Sequence, residues 1–511
     1  MNPHIDYHAL APEIVVIATI TVVLLVDLFG GPARRSMAPR IASVGVLLAL
    51  IPVITLAAGD DRFSMFNGAY VVDNYALAFK GFFIVMTYIT LLLSFDYIEE
   101  GDYHEGEYYL LLLTSLLGLM VMASARDLIT IFVALETISI PTFVLAAWRK
   151  HDRKSNEAGI KYYLVGVISS AVMLYGMSMV FGLTGSTLLS KITVSIHEGL
   201  KPLVGAAGQP SATPMLAVAI FFVIVGFAFK ISAVPFHFWA PDTYEGAPTP
   251  VTAFLSVASK AGGFVALMTI IYFGFMGANL NPVGSDAWGP VLWVLAVASM
   301  LLGNLAALRQ TNIVRMLAYS SIAQAGFILV PLAAAASAEA RVSAFQAVVV
   351  YILIYGVMNL GAFAVVIAVA RRTRSGEISS YAGLGVTDPR MAVLMSIFLF
   401  SLAGIPPFAG WFAKFVMFQS AVEAHTASGY TLAVIAVIAA ISSVIAFFYY
   451  ARVVREMWFH PAPEGAVATR TPPALAFALG ICAVGTVVIG VYPQIVGKIG
   501  ELAPIAPIAL R

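Results

Sequence analysis

The sequence predicts an all-α, polytopic membrane protein with about 14 transmembrane helices. Of its 511 residues, 60% are hydrophobic and only 11% are charged, so most of the chain must face lipid or other helices. Apolar runs of about 18 residues or more, the length that crosses a bilayer as a helix, recur along the whole chain. Two runs are longer than the rest and contain prolines, which predicts that their helices are broken.

The expected spans form two groups, separated by a polar segment at 185–212. The run 14–28 lacks the basic flank and cleavage site of a secretory signal, so we expect a retained first helix. The segment 185–212 is rich in Gly, Ser, Thr and Pro, and a small hairpin outside the membrane is expected there. The expected spans lie near 10–29, 40–58, 74–95, 107–124, 127–148, 157–183, 213–244, 248–274, 288–309, 312–334, 342–371, 390–424, 429–458 and 472–493.

The distribution of basic residues predicts the orientation of these spans. Of the 28 Lys and Arg residues, sixteen fall on one side of the membrane, seven fall on the other, and five lysines lie within spans. Because inner loops carry the excess of Lys and Arg, both termini are expected to face outward from a bacterial inner membrane.

The two proline breaks share a local pattern. The seventh span contains Pro235 and the twelfth contains Pro406 and Pro407, and both breaks read P-F-x-x-W. Helix breaks at corresponding positions are typical of inverted repeats around a central ion path. Spans four to eight are therefore expected to repeat as spans nine to thirteen with opposite topology, unless the likeness is chance similarity among apolar helices. The expected domains are 1–106, 107–274, 288–458 and 472–511.

Ionisable residues inside the apolar runs are the candidate functional groups. Each charge near the centre of a bilayer costs about 2.5 to 3.5 kcal/mol, so such residues are retained for a function. Deep burial lowers the pKa of a lysine and so favours release of its proton, which suits proton transfer. Lys161 lies near the end of its span and could instead extend to the interface, and Lys80 is interpreted as a packing or snorkelling residue. The candidates are Glu136, Lys161, Lys230, His237, Lys260 and Lys414.

Composition and motifs exclude several other functions. A net charge of +1 provides no basic surface for nucleic acid. The single cysteine, Cys482, rules out a disulfide within the chain and an iron–sulfur cluster. Only His237 is expected at membrane depth, which disfavours a haem held by two histidines, and the chain contains no phosphate-loop motif. No cofactor is therefore expected in this chain.

Three segments resemble signatures of the antiporter-like subunits of respiratory complex I, the proton-translocating NADH:quinone oxidoreductase. They are VPFHFWAPDTYEGAPTPVTAFLSVASKAGGF at 234–264, RMLAYSSIAQAGF at 315–327 and GIPPFAGWFAKF at 404–415. The resemblance implies an enzyme subunit that carries out no redox chemistry and moves protons when quinone is reduced elsewhere. It implies flavin, iron–sulfur clusters and quinone in partner subunits. The implied partners are membrane-arm subunits K, M, L, J, A and H, the peripheral redox arm and the lipid bilayer.

The same resemblance implies roles for individual residues. Glu136 would pair with Lys230 as a switch, although a fixed ion pair between two helices is the alternative. Lys260 and Lys414 would carry the proton onward, with hydroxyls such as those of Tyr319 and Ser320 between them. Independently of the resemblance, the position of His237 just after the first proline break and the histidine pKa of about 6.5 suit a proton relay between Lys230 and Lys260, with a hydrogen-bonded packing role as the alternative. Two other functions stay open: a subunit of a multi-component Mrp-type Na⁺/H⁺ antiporter, whose sodium would need oxygen ligands, and a structural spacer that transmits motion.

Overall fold

The structure, a computed structural model, is all-helical apart from one short hairpin. It describes residues 5–30, 37–59, 62–101, 105–197, 212–276, 285–337, 339–428, 430–463, 468 and 470–502. Within these residues, twelve helices are long and apolar enough to cross a membrane. The seventh and twelfth expected spans, which were predicted to be broken, are each a pair of shorter helices. The predicted all-α membrane fold is confirmed, while the count of 14 spans stays a prediction.

The helices follow the expected spans closely. The first nine are α1 (Ala11–Phe29), α2 (Ala38–Ala58), α3 (Asn74–Glu100), α4 (Glu105–Ser124), α5 (Leu128–Ala146), α6 (Arg153–Thr184), α7 (Leu189–His197), α8 (Ala212–Lys230) and α9 (Trp239–Gly246). The central helix is α10 (Thr249–Met276). The remainder are α11 (Ser285–Ala307), α12 (Ile313–Ala334), α13 (Arg341–Thr373), α14 (Leu384–Thr387), α15 (Pro389–Ala403), α16 (Gly410–Ser428), α17 (Tyr430–Phe459), α18 (Pro473–Val491) and α19 (Gln494–Leu502).

Two short elements lie outside the membrane helices and differ from the sequence-based expectation. Strands β1 (Phe63–Met65) and β2 (Tyr70–Val72) pair antiparallel between α2 and α3. The hairpin expected at 185–212 is wrong for 189–197, which form α7, while 198–211 lie outside the described residues. The helix forms there because Leu189, Ile192 and Ile196 share one buried face.

The ends of the helices define two faces of the bundle. One face carries Arg149, Arg315 and Arg371, and we call it the Arg-rich face. The other, on which α1 begins and β1 and β2 lie, is called the opposite face. Antiparallel succession of the helices places the start of α3 at the opposite face and the start of α10 at the Arg-rich face.

Helix α10 lies in the middle of the bundle and is buried along almost its whole length. A π-helical turn, Leu255–Ser259, directly precedes Lys260, and such turns are frequent at functional sites. Glycines after the lysine allow neighbouring helices to approach closely. A Cβ atom at Gly263 would lie 3.0 Å from Cγ of Lys230, so the aliphatic stem of that lysine packs directly on α10.

Both predicted helix breaks are present. Helix α8 ends at Lys230 and α9 begins at Trp239, with Ser232 at φ +58° between them. Helix α15 ends at Ala403 and α16 begins at Gly410, and Gly404 supplies φ +89°. Such φ values end a helix, and the prolines that follow cannot continue it.

The tryptophan of each P-F-x-x-W segment fixes its break. The indole Nε1 of Trp239 donates to the Phe229 carbonyl at 3.2 Å, and its ring stacks on Tyr162 at 4.4 Å between centroids. The indole Nε1 of Trp411 donates to the Gly490 carbonyl at 2.9 Å. Phe229 and Gly490 each lie in the last turn of a helix, where carbonyls lack intrahelical partners, so each indole satisfies one of these carbonyls.

Candidate functional site

Lys260 lies at the centre of the candidate site and is 3% exposed. Its ammonium group donates to Oγ of Ser321 at 2.7 Å and to the carbonyl of the same residue at 3.0 Å. A cavity of about 10 Å³ beside it, lined also by Tyr355, matches the volume of one water molecule. Lys260 is thus held by α12 and forms no ion pair with a carboxylate of the described residues.

Lys230 ends α8 and reaches two hydroxyl groups. It is 1% exposed, and its ammonium lies 2.8 Å from Oγ of Ser139 and 3.4 Å from the hydroxyl of Tyr162. The Tyr162 hydroxyl also lies beside Ser259, the residue before Lys260. Sequence reasoning did not identify Tyr162, which lies between the two lysines; its position in the first turns of a long, otherwise apolar helix carried no signal.

Lys414 closes the C-terminus of the helix before the second break. Its ammonium donates to the Ala403 carbonyl at 2.7 Å, and it lies 4.8 Å from the ring centroid of Phe327. Ala403 is the last residue of α15, so its carbonyl lacks an intrahelical partner, and a cation there is favoured by the helix dipole. The break thus creates the binding position of Lys414.

Polar side chains on α12 connect Lys260 with Lys414. Ser321, which accepts from Lys260, lies one turn before Gln324 on the same face. Gln324 donates to the Leu402 carbonyl at 3.1 Å, next to the carbonyl that Lys414 binds, and accepts from the Tyr351 hydroxyl at 2.7 Å. Ser320, whose hydroxyl was expected between Lys260 and Lys414, is also buried, and its Oγ lies 2.5 Å from the Tyr450 hydroxyl. Gln324 and Tyr351 were not identified from the sequence, because their contacts join helices far apart in the chain.

Glu136 does not contact Lys230 directly. It is half-buried on α5 and accepts a hydrogen bond from Oγ of Ser170 at 2.6 Å. The Lys230 ammonium instead lies against Ser139, one turn further along α5. The direct ion pair implied by the resemblance is therefore not formed in this structure, because α6 supplies a closer partner for the carboxylate.

His237 lies within the first break and is partly buried. Among the hydrogen bonds of the described residues, none joins its ring to Lys230 or Lys260. The structure thus places Tyr162, rather than His237, in contact with the Lys230 ammonium.

Lys161 belongs to an ionic cluster at the Arg-rich face rather than to the buried row of lysines. Its side chain is 43% exposed and lies 2.6 Å from Glu157 and 2.5 Å from Asp242. Arg315 bridges Asp242 at 2.8 Å and Glu245 at 2.9 Å. Burial raises the pKa of the Glu245 carboxyl, but hydrogen bonds from Lys154 and Arg315 outweigh burial and hold that pKa below its usual range.

A polar cavity of about 630 Å³ opens beside this cluster. Arg149, Lys154, Glu245 and Arg371 line its mouth, and Tyr244 lies at its inner end. Tyr244 is 1% exposed, and its ring centroid lies 5.9 Å from the Lys260 ammonium. One aromatic ring therefore separates a polar cavity from a lysine at membrane depth.

Lys80 is a fully buried cation in an ion pair, which contradicts the snorkelling alternative of its predicted packing or snorkelling role. Its ammonium lies 2.8 Å from the Glu13 carboxylate and 2.9 Å from the Tyr70 hydroxyl. The side chain of Lys80 is 0% exposed and that of Glu13 is 6% exposed. The lysine cannot reach the interface because α1 and β2 cover it.

Comparisons with known proteins agree on one family. Residues 125–442 match the family described as NADH:quinone oxidoreductase/Mrp antiporter, TM, and this stretch contains Lys230, Lys260 and Lys414. The chain is 38% identical over 500 residues to NADH-quinone oxidoreductase subunit N of Trichlorobacter lovleyi, which covers 98% of this chain and 97% of that protein.

Solved structures show the same fold. A chain of respiratory complex I from Thermus thermophilus with bound aureothin is 28% identical, with a TM-score of 0.75 over 95% of this chain and 98% of that chain. A chain of the Mrp complex from Dietzia sp. has a TM-score of 0.81 at 19% identity, over 98% of this chain and 97% of that one, which shows the fold alone. The resemblance predicted from the three sequence motifs is confirmed.

Proposed function

The chain belongs to the family of NADH:quinone oxidoreductase and Mrp antiporter transmembrane subunits, and from this membership we propose the path that protons take through it. It is a proton-translocating membrane-arm subunit of NADH:quinone oxidoreductase, and quinone reduction in other subunits drives it. The proposed path runs along Lys230, Lys260 and Lys414. The observation that carries it is that all three are buried and are held by hydroxyl and carbonyl oxygens.

Proton access is proposed from the Arg-rich face. The cavity that ends at Tyr244 brings polar surface to within one aromatic ring of Lys260. From Lys260, the proton would pass Ser321 and Gln324 on α12 to reach Lys414, where the second break begins. The hydroxyl of Tyr162 would join Lys230 to the same path. His237 has no part in this route, and Lys161 is assigned to the surface cluster that borders the cavity.

The chemistry of the three lysines suits transient protonation. A buried ammonium group is costly when no carboxylate compensates it, and each of these lysines has neutral oxygen partners. A neutral amine retains hydrogen bonds in such surroundings, because it donates and also accepts. Glu136 lies near Lys230 but accepts a hydrogen bond from Ser170. A change in the charge of Glu136 is proposed to shift the protonation equilibrium of Lys230.

The assembly and orientation are part of the proposal. The Arg-rich face is assigned to the inside of a bacterial cell membrane, since basic residues favour that side, and both termini then face outward. The partners would be the K, M, L, J, A and H membrane subunits and the redox arm that holds flavin, iron–sulfur clusters and the quinone site. The paired breaks after α8 and α15 support the proposal that 107–274 and 288–458 are inverted repeats.

The test replaces Lys260 in the native assembly by Arg and, separately, by Met. Arginine keeps the positive charge but does not release its proton, so a proton carrier fails with either replacement, whereas a purely electrostatic role survives Lys260→Arg. Because loss of a proton-transfer group slows a reaction by roughly 10²- to 10⁴-fold, proton-coupled NADH oxidation should fall at least about tenfold in both variants. The measurement is proton uptake and NADH oxidation in the same inverted membrane vesicles.

Lys191→Met provides the control, since Lys191 is exposed on α7 and its loss should leave coupling unchanged. Full coupling in Lys260→Arg would overturn the carrier role, and full coupling in Lys260→Met as well would favour a structural spacer. Sodium-dependent proton movement without NADH oxidation would favour the Mrp-type antiporter.

A further inference from the structure

The small cavity of about 10 Å³ beside Lys260 lies where α10, α12 and α13 meet. Three of its lining residues are polar, namely Lys260, Ser321 and Tyr355, and the others are apolar. We propose that this cavity binds one water molecule and that the Tyr355 hydroxyl exchanges protons with Lys260 through this water. The inference rests on the proposed function, because it adds a water site and a further proton-transfer residue to the path at Lys260.

Ser321 cannot satisfy both tyrosine hydroxyls that lie beside it. Its Oγ donates to the Ala318 carbonyl at 2.8 Å and accepts from Lys260 at 2.7 Å, which leaves one of its two acceptor positions. The hydroxyls of Tyr244 and Tyr355 both lie near this oxygen. Both tyrosines are buried, and neither hydroxyl has a hydrogen-bond partner among the described residues. At least one of the two hydroxyls therefore needs another partner.

The two tyrosines line different cavities. Tyr244 lines the polar cavity that opens at the Arg-rich face, whereas Tyr355 lines the small cavity beside Lys260. A space of this size holds one water molecule where two to four polar groups bind it, and Lys260, Tyr355 and the remaining acceptor position of Ser321 provide three. A water molecule there would pair the Tyr355 hydroxyl, whose burial would otherwise carry the full cost of desolvation.

The neighbours of Tyr355 on α13 fix its position. Tyr351, Tyr355 and Asn359 recur at a spacing of four residues, so they lie on one face of the helix. Tyr351 donates to Gln324 on α12 at 2.7 Å, and the amide of Asn359 donates to Ser256 in the π-helical turn of α10 at 2.8 Å. Both flanking side chains are therefore held by the neighbouring helices, while the hydroxyl between them stays available for a ligand.

The step at this site moves protons only. An N–H bond of the Lys260 ammonium breaks as an O–H bond forms on the water, and the water passes one of its own protons to Oη of Tyr355. The Tyr355 oxygen releases its original proton toward the Tyr351 hydroxyl, which donates to Gln324. Lys260 is left as a neutral amine, and nothing is oxidised or reduced. A tyrosine hydroxyl suits this step because it both accepts and donates a hydrogen bond.

The test replaces Tyr355 by Phe in the native assembly, which removes the hydroxyl and keeps the ring. Proton uptake and NADH oxidation in inverted vesicles, per assembled complex, should fall at least about tenfold. The ratio of the rates in H₂O and D₂O should rise, because loss of the relay makes proton transfer rate-limiting. Tyr272→Phe is the matched control, since Tyr272 is also fully buried but donates to the Arg341 carbonyl, away from the lysines. It should change neither the rates nor their ratio.

Ala325→Val tests the water separately. Ala325 lines the small cavity and is 1% exposed, so the added methyl groups exclude the water and leave the Tyr355 hydroxyl in place. A fall similar to that of Tyr355→Phe is expected, and unchanged rates would overturn the water site. A fall in Tyr355→Phe without a change in the H₂O/D₂O ratio would overturn the relay. If both variants keep full coupling while Lys260→Met loses it, this inference fails and the proposed function stands; if Lys260→Met also keeps full coupling, both fail.

Discussion

Removing one partner of the buried Lys80–Glu13 pair should destabilise the chain, and removing both should restore much of the loss. Both side chains are almost fully buried and their charged atoms lie 2.8 Å apart, so solvent screening does not weaken the interaction. A buried charge left without its partner costs about 3 to 5 kcal/mol, whereas replacement of both charges by apolar or neutral groups of similar size is often neutral.

The expected change in melting temperature follows from the size of the chain. Unfolding entropy is about 2.1 cal/mol/K per residue, which gives about 1 kcal/mol/K for a chain of 511 residues. Lys80→Met should thus lower the unfolding midpoint by about 3 to 5 °C. Glu13→Gln should act in the same direction, and Lys80→Met/Glu13→Gln should lie closer to wild type than either single variant.

Cys482 provides the assay, since it is the single cysteine of the chain and is buried in α18. Thiol labelling of the purified assembly over a temperature ramp, read as the labelled Cys482 peptide, reports unfolding of this chain alone. Lys191→Met, which removes an exposed lysine, should leave the midpoint unchanged. If the two single shifts simply add in the double variant, the two residues do not interact and the reasoning is refuted.

Two further predictions concern the polar connections. Gln324→Leu removes the hydrogen bonds to the Leu402 carbonyl and the Tyr351 hydroxyl and should lower proton uptake per NADH at least about tenfold, measured in inverted vesicles; unchanged uptake would remove Gln324 from the path. At the Arg-rich face, the pKa of Glu245 is held low by Lys154 and Arg315. The corresponding stability is present above the ordinary glutamate pKa of about 4.3 and is lost as the pH falls below it. Arg315→Gln should thus lower the unfolding midpoint at pH 7 and flatten its dependence on pH between about 3 and 5, and an unaltered pH profile would contradict this assignment.

The sequence predicted those features that leave a local signal. Prolines in two overlong apolar runs predicted both helix breaks, and lysines within apolar runs predicted the buried row. Local signals also explain the helix boundaries, since Asp127 and Asn312 cap α5 and α12 by accepting from backbone amides.

Features that depend on contacts between distant helices were not predicted. Glu13 lies near the start of the first span, where a carboxylate is usually solvated, so nothing local indicated that it pairs with Lys80. Lys161 was grouped with the buried lysines by its apolar neighbours, yet α9 brings Asp242 to it from 81 residues away. Gln324 and Tyr351 likewise meet only because α12 and α13 pack together.

The partners of the buried lysines indicate how protonation events along the row can influence one another. At the Arg-rich face, the carboxylates of Asp242 and Glu245 form ion pairs with Arg315, Lys154 and Lys161. The ammonium groups of Lys230, Lys260 and Lys414 instead lie against neutral oxygen atoms. On the proposed path, a proton on Lys260 would repel a proton on Lys414 with no carboxylate bound to either ammonium group among the described residues, and low dielectric would strengthen that repulsion. Gly263 brings the stem of Lys230 onto α10 one turn from Lys260. The absence of a side chain at Gly263 thus allows the close approach of the Lys230 stem to α10, on which the proposed coupling between Lys230 and Lys260 depends.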